Sequence, residues 1–114
     1  IGITPFLGRA RHFAAIESPA DVTLIFCVQD EARALFREEL EALAESIDGF
    51  TLKMHYFYLE GPLSLEFLRQ HCPDLVNRHA YVCGPTPLNT LAQHLLHAAG
   101  CRREHIHIEE FVLL

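Results

Sequence analysis

The stretch Val22-Thr23-Leu24-Ile25-Phe26-Cys27-Val28 decides the fold class of this chain. Its residues are apolar or β-branched and show almost no alternation of polar and apolar side chains, which is typical of a strand covered on both faces. Strands of that kind occur in parallel sheets that carry helices on both sides. We therefore expect an α/β fold built on a mostly parallel sheet.

Helix and strand patterns alternate along the rest of the chain. Three further strands are predicted near residues 51–58, 79–83 and 105–109. Helices are predicted at about 5–16, 31–46, 65–70 and 87–99. This order requires right-handed crossovers, which place helices on both faces of the sheet. The sequence thus predicts a Rossmann-like fold with three αβα layers.

Particular residues at the ends of the helical patterns predict where the helices begin and end. Thr4 supplies a hydroxyl that can cap a helix, followed by Pro5 at the first helical position. Asp30 can cap the second helix, and Gly100 suits the left-handed position that closes the last one. The apolar stripe of the second helix is predicted to comprise Ala32, Leu35, Phe36, Leu40, Leu43, Ala44 and Ile47. The buried face of the last helix is predicted to comprise Leu88, Leu91, Ala92, Leu95 and Ala99.

The composition is that of one globular domain. The chain has 114 residues, 50% hydrophobic and 21% charged, enough for one core and too short for two ordinary domains. Fifteen acidic residues against nine basic ones give a net charge of −6, which argues against a nucleic-acid surface because such a surface needs clustered Lys and Arg. No apolar run approaches the roughly 20 residues of a membrane helix, and no signal peptide is recognisable.

The four cysteines are widely spaced and form no C-x-x-C pair. A structural zinc site usually takes its ligands from closely spaced pairs, so the local metal candidates are limited to His71-Cys72 and His105-x-His107. We expect no metal site and interpret the cysteines as buried or half-buried side chains in a reducing compartment. Cys83 in particular is expected to have no disulfide partner and no metal.

Ligands of parallel α/β sheets bind beyond the carboxyl ends of the strands, so the residues at those ends are the functional candidates. Gly2, Thr4 and Pro5 lead into the first helix, where glycine permits close backbone approach and the helix start offers unpaired N–H groups. This segment suits a pyrophosphate, although a plain capped helix has the same sequence. Gln29 and Asp30 end the first predicted strand, where the acid either caps the next helix or reaches an adenosine ribose.

Two later strand ends carry groups suited to a flat ring. Cys83 is followed by Gly84 and Pro85, a stiff turn that would leave the thiol at the open edge of the sheet. Glu109 and Phe111 supply a carboxylate and an aromatic face two positions apart. Each feature also has a purely structural explanation, a buried cysteine before a turn in the first case and a solvated acid with a core phenylalanine in the second.

These four features, in this order, resemble the pyridine-nucleotide-binding module of the ferredoxin reductase superfamily. The phosphate loop of that family reads G-x-G-[IT]-[TA]-P-[FL], and Gly2-Ile3-Thr4-Pro5-Phe6 matches its second half. The family's C-G-P turn is present at residues 83–85 and its closing E-x-[FYW] at residues 109–111. The likeness covers essentially the whole chain and is nearest to the ferric-reductase-like branch, whose members carry haem-binding membrane helices upstream.

The resemblance implies that residues 1–114 are one nicotinamide-nucleotide-binding domain of a longer flavoprotein reductase. In that family NAD(P)H passes a hydride to the flavin N5, and the flavin releases electrons one at a time to a metal centre. The FAD is held mainly by an upstream domain, which this chain lacks together with the first strand of the sheet. We therefore expect the isolated chain to be inactive.

The resemblance also implies partners and a location. The expected partners are the upstream flavin domain and either a haem-containing membrane domain or an iron–sulfur protein, with no nucleic acid. The expected location is the cytoplasm, on the cytoplasmic face of a membrane if the parent protein carries membrane helices. The final electron acceptor stays open.

Roles for individual residues follow from the same resemblance. It places Thr4 and Cys83 on either side of the nicotinamide, with the glycine and proline after Cys83 shaping the floor of the site. Glu109 would stabilise the charge changes of the reaction. Phe111 would lie near the flavin face until the nicotinamide displaces it.

The residues after the first predicted strand favour NADH over NADPH. An NADPH site usually places Arg or Lys with Ser or Thr at this point, because charge-assisted hydrogen bonds hold the 2′-phosphate. Here the strand ends in Gln29-Asp30-Glu31, whose acids would repel a phosphate dianion, whereas Asp30 could accept hydrogen bonds from ribose hydroxyls. Arg33 is the complication, because it could turn toward a 2′-phosphate or pair with an acid.

A competing class of function uses the same fold, since a fold does not fix a function. The chain could be a non-catalytic nucleotide-binding module or a protein-interaction module, with the apolar tail at residues 111–114 docking on a partner. A flavin domain directly before residue 1 would favour the reductase over both.

Overall fold

The computed structural model describes residues 3–16 and 21–110 of the chain. The helices are Thr4–Ala15 (α1), Arg37–Ser46 (α2), Phe57–Glu60 (α3), Leu65–His71 (α4) and Thr86–Ala98 (α5). The strands are Val22–Val28 (β1), Phe50–Tyr56 (β2), Ala80–Gly84 (β3) and Ile106–Glu110 (β4). Short 3-10 turns span Glu31–Arg33, Leu75–Asn77 and Arg103–His105. All four predicted strands are confirmed.

The strands pair in parallel, which confirms the predicted α/β class. β1 pairs with β2 and β3 pairs with β4, giving two two-stranded parallel sheets in the described part of the chain. The chain divides into two compact units. One runs from residue 3 to residue 62 and contains β1 and β2, and the other holds the described residues from 63 onward with β3 and β4.

The core of the first unit lies where α1 and α2 pack beside the parallel pair. Its buried side chains are Ile3, Leu7, Ala10, Leu24, Leu40, Ile47 and Phe50. Leu40 is completely buried, and Leu43 and Ala44 of the same helix pack half-buried against this core. On the surface, the Arg11 guanidinium makes two hydrogen bonds of 2.5 and 2.8 Å to the Glu39 carboxylate and links α1 to α2.

The start of α1 differs from the prediction. Thr4 was expected to cap the helix, but it lies within the first turn, and Ile3 occupies the N-cap position without a side-chain hydrogen bond. Pro5 is accordingly in the first turn, where its missing N–H is not needed. The first donors of α1 are thus not satisfied by a capping side chain.

The predicted helix over residues 31–46 is wrong in its first third. The Asp30 carboxylate accepts a hydrogen bond from the backbone N–H of Arg33 and closes a 3-10 turn instead of an α-helix. Phe36 then takes a left-handed conformation with φ of 65°, and α2 begins only at Arg37. Three members of the predicted stripe, Ala32, Leu35 and Phe36, are therefore exposed.

The second predicted strand ends earlier than the expected residue 58. The Tyr56 N–H donates to the Glu60 carboxylate at 2.8 Å, and the Gly61 N–H donates to the Phe57 carbonyl at 2.8 Å. These two bonds close the single turn α3, so the aromatic residues after Tyr56 are helical. Gly61 ends the turn with φ of 79°, which a residue with a side chain rarely adopts.

The second unit follows its predicted boundaries closely. Ser64 caps α4 by accepting a 3.1 Å hydrogen bond from the Phe67 N–H, and Gly100 closes α5 with φ of 93°. On α5, however, the fully buried residues are Asn89, Ala92 and Leu96, whereas the predicted face lies only half-buried apart from Ala92. No helix among the described residues is long and apolar enough to cross a membrane.

Candidate functional site

Cys83 and Glu109 occupy neighbouring positions where β3 and β4 end. The two residues are register partners in the parallel pair, and the next pair is Gly84 with Glu110. Paired positions of neighbouring strands present their side chains on the same face of a sheet. The Cys83 thiol is half-buried and Glu109 is exposed, so both are placed at the edge where ligands of parallel sheets bind.

The local environment keeps the Cys83 thiol protonated. Burial raises the pKa of this thiol, and the negative charge of Glu109 raises it further. Cys83 is a free thiol, as are Cys27, Cys72 and Cys101. It is therefore a neutral, polarisable group at neutral pH and is not an activated nucleophile, which would need a lowered pKa.

The turn after β3 depends on glycine because α5 comes very close. A Cβ atom on Gly84 would lie 3.1 Å from Leu88 Cδ2, closer than such atoms ordinarily approach. Pro85 follows in an extended conformation, is exposed, and accepts a 3.0 Å hydrogen bond from the Asn89 N–H. The turn thus carries the chain from β3 into α5, and Gly84 lets the Leu88 side chain pack closely against it.

Asn89 is a residue of this site that the sequence reasoning missed. It is only 2% exposed, and its Nδ2 donates to the Gly84 carbonyl at 2.9 Å and to the Glu109 carbonyl at 3.3 Å. The signal was present in the sequence. Asn89 lies three residues before Ala92 and seven before Leu96, so one polar residue shares the helical spacing of two buried ones.

A second group of candidate residues gathers after β1. The Gln29 carbonyl accepts a 3.0 Å hydrogen bond from the Tyr58 N–H, which joins the end of β1 to the turn after β2. The Asp30 carboxylate accepts two hydrogen bonds from Arg33, one from the backbone N–H at 3.2 Å and one from the guanidinium at 2.5 Å. The Arg33 guanidinium also lies 5.7 Å from the centre of the exposed Tyr58 ring.

Arg33 therefore pairs with an acid, one of the two arrangements that the sequence left open. Asp30 fills the capping role considered for it, since its carboxylate closes the 3-10 turn, and it lies just beyond the end of β1. The pair is partly exposed, with 54% of the Arg33 side chain and 38% of the Asp30 side chain accessible. Exposed pairs of this kind separate at small cost in free energy.

The remaining candidates lie elsewhere in the chain. Thr4 and Pro5 form the first turn of α1, with Pro5 exposed, in the same unit as Asp30. Gly2 and Phe111 are outside the described residues. Over the described ranges, no group of three or more His, Cys, Asp or Glu side chains is arranged to hold a metal ion.

Comparison with known families gives one match over most of the chain. The sequence model of the family described as oxidoreductase NAD-binding domain matches residues 1–94. This match includes the turn at residues 83–85 and the segment from Gly2 to Phe6 that carried the resemblance.

Curated relatives are reductase components. The glycine betaine monooxygenase reductase subunit of Pseudomonas aeruginosa is 29% identical over 97% of this chain and 33% of its own length. The ferredoxin reductase component of 3-ketosteroid-9-alpha-monooxygenase from Mycolicibacterium smegmatis is 32% identical over 96% of this chain and 31% of its own length. An NADPH oxidoreductase of Mycobacterium tuberculosis is 29% identical over 98% of this chain and 29% of its own length. The chain thus spans about a third of the length of the curated relatives it matches.

A solved structure has the same fold. The flavohemoglobin of Malassezia yamatoensis, solved with bound FAD and heme, superposes with a TM-score of 0.73 at 22% identity. The likeness covers 97% of this chain and 29% of the flavohemoglobin chain. It supports the predicted Rossmann-like fold.

Proposed function

The chain belongs to the oxidoreductase NAD-binding domain family, and we propose that it binds NAD(P)H and presents the nicotinamide to a flavin held by another domain of the same protein. One observation carries the proposal. Cys83 and Glu109 lie side by side at the carboxyl ends of two parallel strands, next to the turn formed by Gly84 and Pro85. That combination provides a strand edge with a neutral sulfur and a carboxylate, the two groups proposed to face the nicotinamide ring.

The residues present fit the nicotinamide end of the cofactor. When both cofactors are bound, the nicotinamide gives up a hydride, a proton with two electrons, and the flavin accepts it. Cys83 contacts the ring as a neutral group, so it adds no charge of its own. Glu109 offers a negative charge to a ring that becomes positive as the hydride leaves, and fixed charges of this kind stabilise a transition state. Gly84 and Pro85 form the floor of the site and orient the ring by packing against its face.

We place the adenosine end of the cofactor at the second group of residues. Asp30 and Arg33 lie just beyond the end of β1, the position where acidic residues of dinucleotide-binding folds meet the ribose. Thr4 and Pro5, with Gly2 before them, are assigned to the pyrophosphate. NADH is the favoured cofactor, because a 2′-phosphate would have to compete with Asp30 for Arg33 and would sit beside two acids.

The partners and location of the whole protein belong to the proposal as well. We assign the FAD mainly to an upstream domain, with Phe111 as the contribution of this chain. The relatives named above include reductase components of monooxygenases, and this favours an iron–sulfur or oxygenase acceptor over the haem-bearing membrane domain of the ferric-reductase-like branch. A cytoplasmic location fits this assignment.

The deciding experiment uses the full-length protein that contains this chain. After anaerobic purification, the absorption band of its flavin should be present and should bleach when NADH or NADPH is added. A protein that binds flavin but is not bleached by either nucleotide contradicts the proposal. Nucleotide binding without a flavin would favour the non-catalytic nucleotide-binding module.

A further inference from the structure

Asn89 is a buried amide inserted between the ends of two strands. It lies on the inner face of α5, where its neighbours along the stripe, Ala92 and Leu96, are apolar. Only 2% of the residue is exposed. A buried amide among apolar side chains is costly unless it is hydrogen-bonded, so the bonds it makes identify what it does.

Its hydrogen bonds join β3 to β4. The Nδ2 group donates to the Gly84 carbonyl at 2.9 Å and to the Glu109 carbonyl at 3.3 Å, one acceptor on each strand. The orientation of the amide follows from these acceptors, since a flipped amide would point its oxygen at two carbonyl oxygens. The helix therefore supplies a cross-link at the carboxyl end of the parallel pair.

The two acceptors belong to the candidate site itself. One is the backbone carbonyl of Glu109, and the other is the carbonyl of Gly84, the residue directly after Cys83. Cys83 and Glu109 are also register partners. A shift of either carbonyl would consequently change the distance between the thiol and the carboxylate.

The remaining atom of the amide argues against a role in stability alone. Asn89 Oδ1 is buried and has no hydrogen-bond partner among the described residues. It faces Gly84, where an added Cβ would lie 3.6 Å away. An orphaned acceptor costs free energy. An apolar residue like those at positions 92 and 96 would avoid that cost but would remove the donor from the Gly84 and Glu109 carbonyls. The geometry imposed by the Nδ2 bonds is what the amide provides in return.

We infer that Asn89 is a positioning residue that sets the Cys83 thiol and the Glu109 carboxylate at the spacing needed for hydride transfer. This inference rests on the proposed function for its kinetic consequence. Asn89 touches no cofactor in this account and acts only through the carbonyls that it holds. Small displacements of reacting groups slow a reaction without much effect on binding, which gives the inference a specific kinetic signature.

The test compares variants of the full-length flavoprotein by stopped-flow flavin reduction. Asn89→Leu is expected to lower the reduction rate at saturating NADH by roughly ten- to hundredfold, with the Kd for NADH changed by less than about threefold. The matched control is Asn77→Leu, at an exposed asparagine of the same unit, which should leave both constants unchanged. Equal constants for the two variants would overturn the inference.

A second variant covers the case in which Asn89→Leu does not fold. In Asn89→Asp the new carboxylate faces two carbonyl oxygens, but on protonation it regains one O–H donor for them. The reduction rate of this variant relative to wild type should therefore rise as the pH is lowered from 8 to 6. A pH profile parallel to that of the wild type would contradict the inference, because it would show that regaining the donor at position 89 does not change the rate.

Hydrogen exchange separates this inference from the proposed function. In the Asn89 variants, amide exchange should quicken in the segments at residues 80–84 and 106–110 and stay unchanged in β1 and β2. Unchanged exchange at the ends of β3 and β4 would refute the cross-link even if the protein shows no NAD(P)H-dependent flavin reduction. Loss of that reduction in the wild type, with quickened exchange in the variants, would refute only the proposed function and the kinetic role derived from it.

Discussion

Cys83 and Glu109 are register partners in the parallel pair, and the negative charge of Glu109 adds to burial in raising the pKa of the Cys83 thiol. Because a nearby negative charge disfavours the thiolate, replacing Glu109 by Gln should lower the pKa of Cys83. We expect iodoacetamide to alkylate Cys83 a few-fold faster at pH 8 in Glu109→Gln than in the wild type. Peptide mass spectrometry over a time course measures the rate at each cysteine separately.

Cys27 is the internal control for that measurement. It occupies the penultimate position of β1, as Cys83 does in β3, and burial together with Glu60 raises its pKa to about 11. Its alkylation should be slower than that of Cys83 and should be the same in both proteins. An unchanged rate at Cys83 would mean that Glu109 does not govern the thiol.

Removing the Cys83 sulfur should slow hydride transfer more than it weakens cofactor binding. In the full-length protein we expect Cys83→Ala to reduce the flavin-reduction rate by about tenfold or more, with a smaller change in the Kd for the nucleotide. Cys27→Ala removes a half-buried thiol from the other unit and should leave the rate unchanged. Identical reduction kinetics in wild type and Cys83→Ala would count against the role of this thiol.

The Asp30–Arg33 pair should control the choice between NADH and NADPH. We expect the wild type to prefer NADH. Asp30→Ser releases Arg33 toward a 2′-phosphate and should raise kcat/KM for NADPH by about tenfold, the gain expected from one charge-assisted hydrogen bond. Arg33→Ala should leave kcat/KM for NADH within about twofold, since NADH carries no 2′-phosphate for Arg33 to bind and its ribose is assigned to Asp30.

Asp74→Ser is the matched control for cofactor choice, because it separates a comparable Asp–Arg pair, Asp74 with Arg78, in the other unit. It should leave the preference as it is. A wild-type preference for NADPH that Arg33→Ala abolishes would reverse the assignment and make Arg33 the phosphate ligand.

Leu40 should be the most sensitive position in the core of the first unit. Its side chain is completely buried, and truncation of such a leucine to alanine removes apolar contacts and leaves a cavity. We expect Leu40→Ala to lower the free energy of unfolding by about 2–5 kcal/mol. Leu59→Ala makes the same change at a residue that is 83% exposed and should have almost no effect. Urea unfolding of both variants checks the difference.

The ion pair between Arg11 and Glu39 should make part of the stability depend on pH. The hydrogen bond from Arg11 holds the pKa of the Glu39 carboxyl below its ordinary value of about 4.3. A group with a lowered pKa in the folded state stabilises the protein above the unfolded value, and this contribution is lost as the pH falls through the folded value. The Tm of Glu39→Gln should therefore lie slightly below that of the wild type at pH 7, because an exposed pair of this kind contributes little to stability.

The same Tm difference should disappear in strong acid, where Glu39 is protonated in both states of the wild type. Glu45→Gln, on an exposed part of the same helix, supplies the comparison and should match the wild type throughout. A Tm difference for Glu39→Gln that stays constant down to about pH 2 would show that the effect does not come from the charge.

The parallel pairs could be predicted from sequence because burial on both faces leaves a clear pattern. The nearly continuous apolar run from Val22 to Val28 has little polar surface to expose, and the observed strand has the same limits, with Leu24 buried and the other residues half-buried. The placement of Cys83 and Glu109 at the carboxyl ends of their strands could also be predicted, whereas their pairing in one register could not. Both predictions rest on a requirement that holds along the whole strand.

The break before α2 could not be predicted from the apolar pattern. Leu35 and Phe36 continue the helical spacing that leads to Leu40, yet both are exposed. The break comes from two local events, the bond between Asp30 and the Arg33 N–H and the left-handed backbone at Phe36. The spacing of apolar residues predicts neither this hydrogen bond nor the left-handed backbone at Phe36. Asn89 was missed for a different reason, because the buried face of α5 was predicted from its apolar residues alone.

The protonated state of Cys83 also affects how fast its sulfur reacts with peroxide. Peroxide attacks the thiolate and scarcely reacts with the thiol. Burial and the Glu109 charge keep Cys83 in the thiol form, so the sulfur resists conversion to a sulfenic acid although it lies at an accessible edge. The carboxylate paired with this cysteine therefore slows its oxidation by disfavouring the thiolate.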